Sequence, residues 1–210
     1  GVNMKRILSI VLCLCLLFPA LALAEFDPAP LKSDPDIIVI PLPNSVDTVY
    51  RPVNQPYYGQ VDEGFDGELV AYVEYITLVD ADATVLRLMI STVSWDMPFN
   101  APEIRLTVGK TSYTLAVTHE ESEYDGIYME DYAACLVGEG LNLLKSIAQQ
   151  KKDDPIRVEL LSEGNVVFSG QVIIPGAEAA AIYDRWIDLG GKQQDLSIFR
   201  DLWPVRITNK

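Results

Sequence analysis

The sequence predicts an α+β fold in which an antiparallel β-sandwich or a curved sheet carries two packed helices. Runs of β-branched and aromatic residues follow one another with short turn sequences between them, which favours antiparallel pairing. Two segments in the second half of the chain place apolar residues at helical spacing, and each segment predicts one helix. The chain length also suffices for one well-cored domain with extensions.

The N-terminal segment, residues 1–24, has the order of a secretory signal peptide. Two basic residues precede an apolar run from Ile7 to Phe18, and Ala22 and Ala24 stand where a signal peptidase reads small residues. We expect cleavage after Ala24, so that the mature protein works outside the cytoplasm. The compact signal favours a bacterial origin, and the later sequence predicts no membrane span.

The three cysteines predict neither a lipid anchor nor a disulfide. Cys13 and Cys15 lie inside the apolar run with a leucine before each, whereas a lipid anchor needs its cysteine at the end of that run. Cys135 is then the only cysteine of the mature chain, so the core alone must hold the fold together. Its small and apolar neighbours predict an unreactive thiol within that core.

Residues 25–67 are predicted to form a Pro-rich extended arm in front of the domain. Seven of the thirteen prolines of the chain fall in this segment. Proline fixes φ and lacks a backbone donor, so we expect neither long helices nor central strands here. The run Ile37–Ile40 is the one expected strand, and Pro41 should confine that strand to a sheet edge.

The α+β domain is predicted to span residues 68–191 and to begin with two long strands. Residues 69–79 and 83–93 are rich in β-branched and aromatic side chains, and an aspartate-containing turn separates them. Apart from Glu74 and Arg87, both faces of each run are largely apolar. We therefore expect central strands that are covered on both sides.

The rest of the domain is predicted to alternate hairpins with helices. Period-2 patterning around Gly109 and Lys110 predicts a half-buried hairpin. The predicted elements are that hairpin over residues 104–108 and 112–117, a strand over 128–137, a helix over 141–148, a hairpin over 156–161 and 166–174, and a helix over 176–189. The similarity of Pro102–Leu106 to Pro155–Val158 leaves an internal duplication open.

Residues 192–210 form a C-terminal tail with six large apolar side chains between Leu196 and Val205. Unstructured tails rarely contain so many apolar groups, so we expect residues 196–205 to dock on the domain. Strand addition to a sheet edge would satisfy the backbone up to Trp203, because Pro204 has no N–H to donate. A partner-binding segment is the alternative interpretation of this tail.

The charge of the chain restricts its partners. The net charge of −14 repels phosphate backbones and disfavours docking on anionic lipid. We therefore expect no nucleic-acid partner. Calcium remains open as a ligand, because Asp62–Glu68 is an acidic cluster and because Asp80 and Asp82 supply further oxygens. Residues 62–73 do not fit an EF-hand, since Val73 stands where the bidentate glutamate belongs.

The side chains that usually perform catalysis are scarce. His119 is the single histidine, and we interpret it as an exposed loop residue that does no chemistry, because no nucleophile motif accompanies it. One histidine and one mature cysteine make a poor zinc site, and no glycine-rich loop predicts a nucleotide site. We therefore assign no catalytic, cofactor-binding or metal-binding residue from the sequence.

The predicted function is a secreted or envelope-associated, non-catalytic interaction module that binds protein or glycan at the cell surface. Tyr57, Tyr58 and Trp95 are candidates for stacking on sugar rings. A carboxylate-dependent hydrolase and a structural part of a cell-surface assembly are the alternatives. Two buried, close carboxylates in a cleft would favour the hydrolase, whereas a flat apolar patch or an unpaired sheet edge would favour the module.

Overall fold

The computed structural model describes residues 27–43, 45–78, 83–138, 140–150, 152–191 and 205–209. The strands are β1 (Ile37–Pro41), β2 (Thr48–Pro52), β3 (Tyr57–Val61), β4 (Glu68–Leu78), β5 (Ala83–Ser94), β6 (Glu103–Val108), β7 (Thr111–Ala116), β8 (Thr118–Tyr124), β9 (Ile127–Leu136), β10 (Ile156–Ser162), β11 (Asn165–Val172) and β12 (Val205–Asn209). The helices in these ranges are α1 (Ala29–Lys32), α2 (Gly140–Ala148) and α3 (Gly176–Asp188).

All the described strands belong to one antiparallel sheet that curls into a half barrel. The strand order is β12-β7-β6-β10-β11-β3-β4-β5-β9-β8, with β2 also beside β4 and β1 beside β2. Within β3, Tyr57 and Tyr58 pair with β4, whereas Gly59–Val61 pair with β11. The sheet is therefore continuous through β3. The mostly antiparallel, curved sheet of our prediction is confirmed, with three short helices instead of two, and a two-sheet sandwich is not confirmed.

Two glycines permit the close approach of strands at this junction. A Cβ atom on Gly59 would lie 2.8 Å from the carbonyl oxygen of Gln171 and from the Leu69 side chain. A Cβ atom on Gly170 would lie 2.6 Å from the carbonyl oxygen of Gln60. Both distances are too short for a side chain, so glycine is required where the sheet bends.

The main core fills the inner side of the half barrel. Leu69, Ala71, Val73 and Tyr75 of β4 alternate into it, and they pack with buried residues of every long strand. Helices α2 and α3 pack against each other and place their apolar stripes in the same core. The predicted helices and hairpins of residues 104–174 are thus confirmed within one or two residues.

Three of the seven prolines of the Pro-rich arm lie at the ends of strands and leave the strands themselves intact. Pro41 and Pro52 are the last residues of β1 and β2, and Pro56 directly precedes β3. The predicted edge strand is confirmed, since β1 pairs with β2 alone among the described strands. Our prediction that proline excludes a central strand in this segment is wrong, because β3 has neighbours on both sides and contains no proline.

The ends of the chain fall largely outside the described residues. The signal peptide of residues 1–24 lies there, as do residues 196–204 of the predicted docked tail. Residues Val205–Asn209 form β12, which adds to the edge of β7 in antiparallel register. Strand addition thus occurs after Pro204, whereas we expected it before that residue. In the described part of the chain, no helix has the length and apolarity needed to cross a membrane.

Cys135 lies in a small second core on the opposite side of the sheet, together with Val49, Ile76, Val85 and Val137. Its side chain is buried, and burial raises the pKa of its thiol to about 11. The predicted core position of this cysteine is confirmed.

An ion pair on β6 and β10 should make part of the stability dependent on pH. Arg105 Nε donates to Glu159 Oε2 over 2.7 Å, and this hydrogen bond holds the pKa of Glu159 below its ordinary value. A carboxylate with a lowered folded-state pKa stabilises the fold above its unfolded pKa, near 4.3, and loses that contribution as the pH falls through the folded value.

Glu159 itself is nearly buried, but the Arg105 side chain is 33% exposed to water, which weakens the ion pair. We therefore expect Glu159→Gln to lose less stability than the parent protein when the pH falls below about 4.3, with a difference of less than about 1 kcal/mol. Urea unfolding at pH 7 and pH 3 measures the difference, with Glu163→Gln in an exposed turn as the control. An acid-induced loss in Glu159→Gln equal to that of the parent protein would show that this ion pair contributes nothing.

Candidate functional site

The side of the sheet opposite the main core carries accessible polar and aromatic side chains from several strands, and we call it the outer face. Residues of β3, β4, β5, β9 and β8 that alternate away from the core form cross-strand rows on it. The first row is Tyr58, Val70, Ser91, Asp131 and Glu120, and the second row is Tyr72, Met89, Ala133 and Thr118.

The first row is open to solvent at both of its ends. Tyr58 is 77% exposed, the largest value among the exposed large apolar side chains of the described residues. Asp131 and Glu120 are also exposed, and Asp131 accepts a hydrogen bond from the Ser91 hydroxyl. This row therefore presents an aromatic ring, a hydroxyl and two carboxylates along one line.

The third row is an ion-pair triad that lies beneath this surface. Glu74 is fully buried and accepts from two arginines: Arg51 Nε donates to Oε2 over 2.8 Å, and Arg87 Nε donates to Oε1 over 2.9 Å. The guanidinium carbon of Arg51 also lies 3.8 Å from the centre of the Tyr72 ring. One carboxylate thus orients two guanidinium groups, and the triad retains a net positive charge.

A pocket of about 310 Å³ adjoins the rows where the chain leaves β1. Its polar lining includes residues of all three rows, which are Arg51, Arg87, Thr118, Glu120 and Asp131. Ile40, Leu42 and Met89 supply apolar surface. The outer face therefore combines a concave polar pocket with a flatter aromatic surface beside it, which is the arrangement of a ligand site with few oriented polar groups.

Our expectation that β4 and β5 are covered on both sides is only partly correct. Val70, Tyr72, Met89 and Ser91 remain half-exposed on the outer face. The exceptions in the apolar pattern, Glu74 and Arg87, were the sequence signal for the triad. Arg51, the third member, is not marked as a charge within an apolar strand. Its contact with Glu74, more than twenty residues away, depends on the pairing of β2 with β4.

A second pocket, of about 390 Å³, lies between α3 and the β1–β2 hairpin. At its side, Glu178 of α3 accepts hydrogen bonds from the Tyr57 hydroxyl, over 2.8 Å, and from Asn54. Tyr57 is only 6% exposed, and burial raises the pKa of its hydroxyl. Tyr57 is therefore no longer a candidate for stacking on sugar rings, because successive strand residues face opposite sides and, of the two tyrosines, Tyr58 faces outward.

His119 belongs to an ordered strand, so its predicted place in an exposed loop is wrong. It lies on β8 and is half-buried, and its ring stacks on Tyr132 with centres 4.8 Å apart. His119 Nε2 lies 2.9 Å from Glu130 Oε1. Cross-strand pairing with β9 determines this position, and the polar sequence of β8 contains no periodic pattern that would have predicted a strand.

Glu130 is the centre of a hydrogen-bond network on the inner side of β9. Its side chain is fully buried, and Oε1 accepts from the Tyr132 hydroxyl over 2.6 Å and from the Asn100 amide over 2.9 Å. Oε2 accepts from the Phe99 amide over 2.8 Å. Among the described residues, this carboxylate is the hydrogen-bond partner of the His119 ring. The interpretation that His119 activates no nucleophile stays a prediction.

In the acidic cluster Asp62–Glu68, the first carboxylate is already engaged by other residues of the protein. Asp62 accepts from the Ser169 hydroxyl over 2.6 Å and pairs with Arg157 at 3.0 Å. Asp80 and Asp82 lie outside the described residues. The calcium site stays a prediction without a coordinating geometry on the described residues.

Comparison with protein-family models, with curated proteins and with solved structures finds no match to this chain.

Proposed function

We propose that this protein is a non-catalytic binding module that works outside the cytoplasm of a bacterium and binds a glycan on its outer face. The observation that carries the proposal is the combination of an exposed tyrosine, Tyr58, with the polar rows beside it and the Arg51–Glu74–Arg87 triad. Of the two partner classes predicted from sequence, these side chains fit a glycan better than a protein.

The chemistry of the rows matches that of a sugar. A pyranose ring has an apolar C–H face, which packs on an aromatic ring such as Tyr58, and a rim of hydroxyl groups. Carboxylates accept charge-assisted hydrogen bonds, and guanidinium groups donate them. Asp131 and Glu120 supply acceptors and Arg87 supplies donors, and all three side chains line the pocket of about 310 Å³ on the outer face.

The triad holds two arginine side chains of this surface in fixed orientations. Arg51 and Arg87 each have their Nε committed to Glu74, so their side chains are already oriented before any ligand arrives. Ordering a long side chain on binding costs about 0.5–1.5 kcal/mol, and a pre-oriented arginine avoids much of that cost. The strands beneath it are a rigid support, as a precise binding site requires.

The hydrolase alternative has weaker support. Two pairs of carboxylates lie opposite each other on β8 and β9. Glu120 and Asp131 line the pocket of about 310 Å³, but both are exposed. Glu121 is exposed and Glu130 already accepts from several donors, and neither of them lines one of the two pockets above. Glu74, which is also fully buried, is paired with two arginines on the opposite face of the sheet. The described residues thus offer no pair of buried carboxylates across a cleft, which is the arrangement that would favour a hydrolase.

Tyr58→Ala should abolish most of the retention of the protein on an insoluble glycan. The experiment sediments purified protein from residue 25 onward with peptidoglycan, chitin and cellulose, and it measures the bound fraction at several polymer concentrations. Loss of one stacked ring should raise the apparent Kd about tenfold, since aromatic stacking contributes up to about 1.5 kcal/mol.

Tyr124→Ala is the matched control, because Tyr124 is 75% exposed but lies at the tip of the β8–β9 hairpin. We expect its retention to equal that of the parent protein. Equal loss in both variants, or no retention on any of the three polymers, would contradict the glycan proposal. Association that rises with protein concentration in sedimentation velocity would favour the structural-assembly alternative instead.

A further inference from the structure

We propose that His119, Glu121 and Glu130 form a binding site for a divalent transition metal, with Zn²⁺ as the best-matched ion. Each side chain offers one ligand atom, and the three atoms lie within 4.8 Å of one another. This site lies on the inner side of β8 and β9, apart from the glycan surface, and the inference goes beyond the proposed function.

The strand register brings these groups together. Glu121 lies directly opposite Glu130, and His119 lies opposite Tyr132 on the same side of the β8–β9 pair. Like charges directly opposite each other destabilise a strand pair. The Glu121 side chain forms neither a hydrogen bond nor an ion pair with another described residue that would offset this repulsion. A divalent cation between the two carboxylates would do so.

The ligand types favour zinc over calcium. Zn²⁺ binds imidazole nitrogen and carboxylate oxygen at about 2.0–2.2 Å, which places neighbouring ligand atoms about 3.4 Å apart in a tetrahedron. His119 Nε2 and Glu130 Oε1 are 2.9 Å apart, so a small outward movement admits the ion. Calcium takes 6–8 oxygen ligands, and an imidazole with two carboxylates fits that requirement poorly.

Two of the three ligands are already oriented by other contacts. Glu130 is held by the amides of Phe99 and Asn100 and by the Tyr132 hydroxyl, and the His119 ring stacks on Tyr132. Outer contacts of this kind orient metal ligands and raise affinity. Glu121 is exposed and free to rotate toward the ion, so the site remains accessible from solvent. Water would complete a three-ligand zinc site.

Isothermal titration calorimetry with ZnCl₂ tests this site on the chain from residue 25 onward after dialysis against EDTA. We expect about one Zn²⁺ per chain, and we expect His119→Gln and Glu121→Gln each to weaken binding by at least about tenfold. Glu123→Gln, on the same strand and the same side, should change the affinity less than about twofold. Glu121→Gln alters an exposed side chain, so it keeps the test valid if His119→Gln does not fold.

Three results would overturn the proposal: absence of zinc binding, equal affinity for CaCl₂, or a loss in Glu123→Gln as large as that in Glu121→Gln. The last result would mean that Zn²⁺ responds only to the general charge of β8. Glycan retention measured with and without EDTA separates this site from the outer face. We expect no change in that retention, so failure of one proposal leaves the other standing.

Discussion

Glu74→Ala is expected to lower the free energy of unfolding by about 3 kcal/mol, the low end of the cost of breaking a buried ion pair. The substitution leaves Arg51 and Arg87 beneath the outer face without their shared carboxylate. Both guanidinium groups are partly exposed, and water therefore offsets some of the cost. Urea unfolding followed by tryptophan fluorescence measures the change.

Glu68→Ala, at the exposed start of the same strand, is the control and should stay within about 0.5 kcal/mol of the parent protein. The combined variant Arg51→Met, Glu74→Leu, Arg87→Met should be as stable as the parent protein or more stable, since apolar groups often replace a buried ion cluster without loss. If Glu74→Ala and Glu68→Ala unfold at the same urea concentration, the triad does not contribute to stability in the way described.

Glu130→Ala is expected to cost about 2–4 kcal/mol, because several partly buried donors lose their acceptor at about 1–3 kcal/mol each. The backbone amides of Phe99 and Asn100 both donate to this carboxylate, which connects them to β9. The Tyr132 hydroxyl loses its acceptor as well. Water can reach Asn100, so the total falls below the sum of the separate costs.

Hydrogen exchange measures the local part of this effect. The amides of residues 99 and 100 should exchange faster in Glu130→Ala, whereas amides of β10 and β11 should change only as much as global stability does. Glu123→Ala serves as the control on β8. Unchanged exchange at residues 99 and 100 would contradict the role of Glu130 as the acceptor that holds this loop.

The strands with clear apolar periodicity were predictable from sequence, and those defined by their partners were not. The β6–β7 hairpin alternates Ile104 and Leu106 with polar residues, so its burial follows from period-2 patterning. Strand β8 has an exposed, mostly polar sequence, and it forms because β9 lies beside it. Local propensity contains no information about that neighbour.

For the candidate site too, local sequence patterns were visible and contacts between distant segments were not. Glu74 and Arg87 were visible in the sequence as charges within apolar strands, and buried charges are normally paired. Their pairing with Arg51 depends on β2 lying next to β4, which is a contact between distant segments. Likewise, the approach of Glu121 to Glu130 depends on the register of β8 against β9. That register was not predictable, because we interpreted His119 as a loop residue and expected no strand there.

The central claim is that the outer face binds glycan, and an NMR titration tests it most directly. Amide resonances of ¹⁵N-labelled protein are followed while a soluble oligosaccharide of the polymer that retains the protein is added. We predict shifts concentrated at Tyr58, Tyr72, Ser91 and Asp131, with saturation at one ligand per chain. Shifts confined to the α3 pocket or to the β8–β9 tip, or no shifts at saturating oligosaccharide, would contradict the claim.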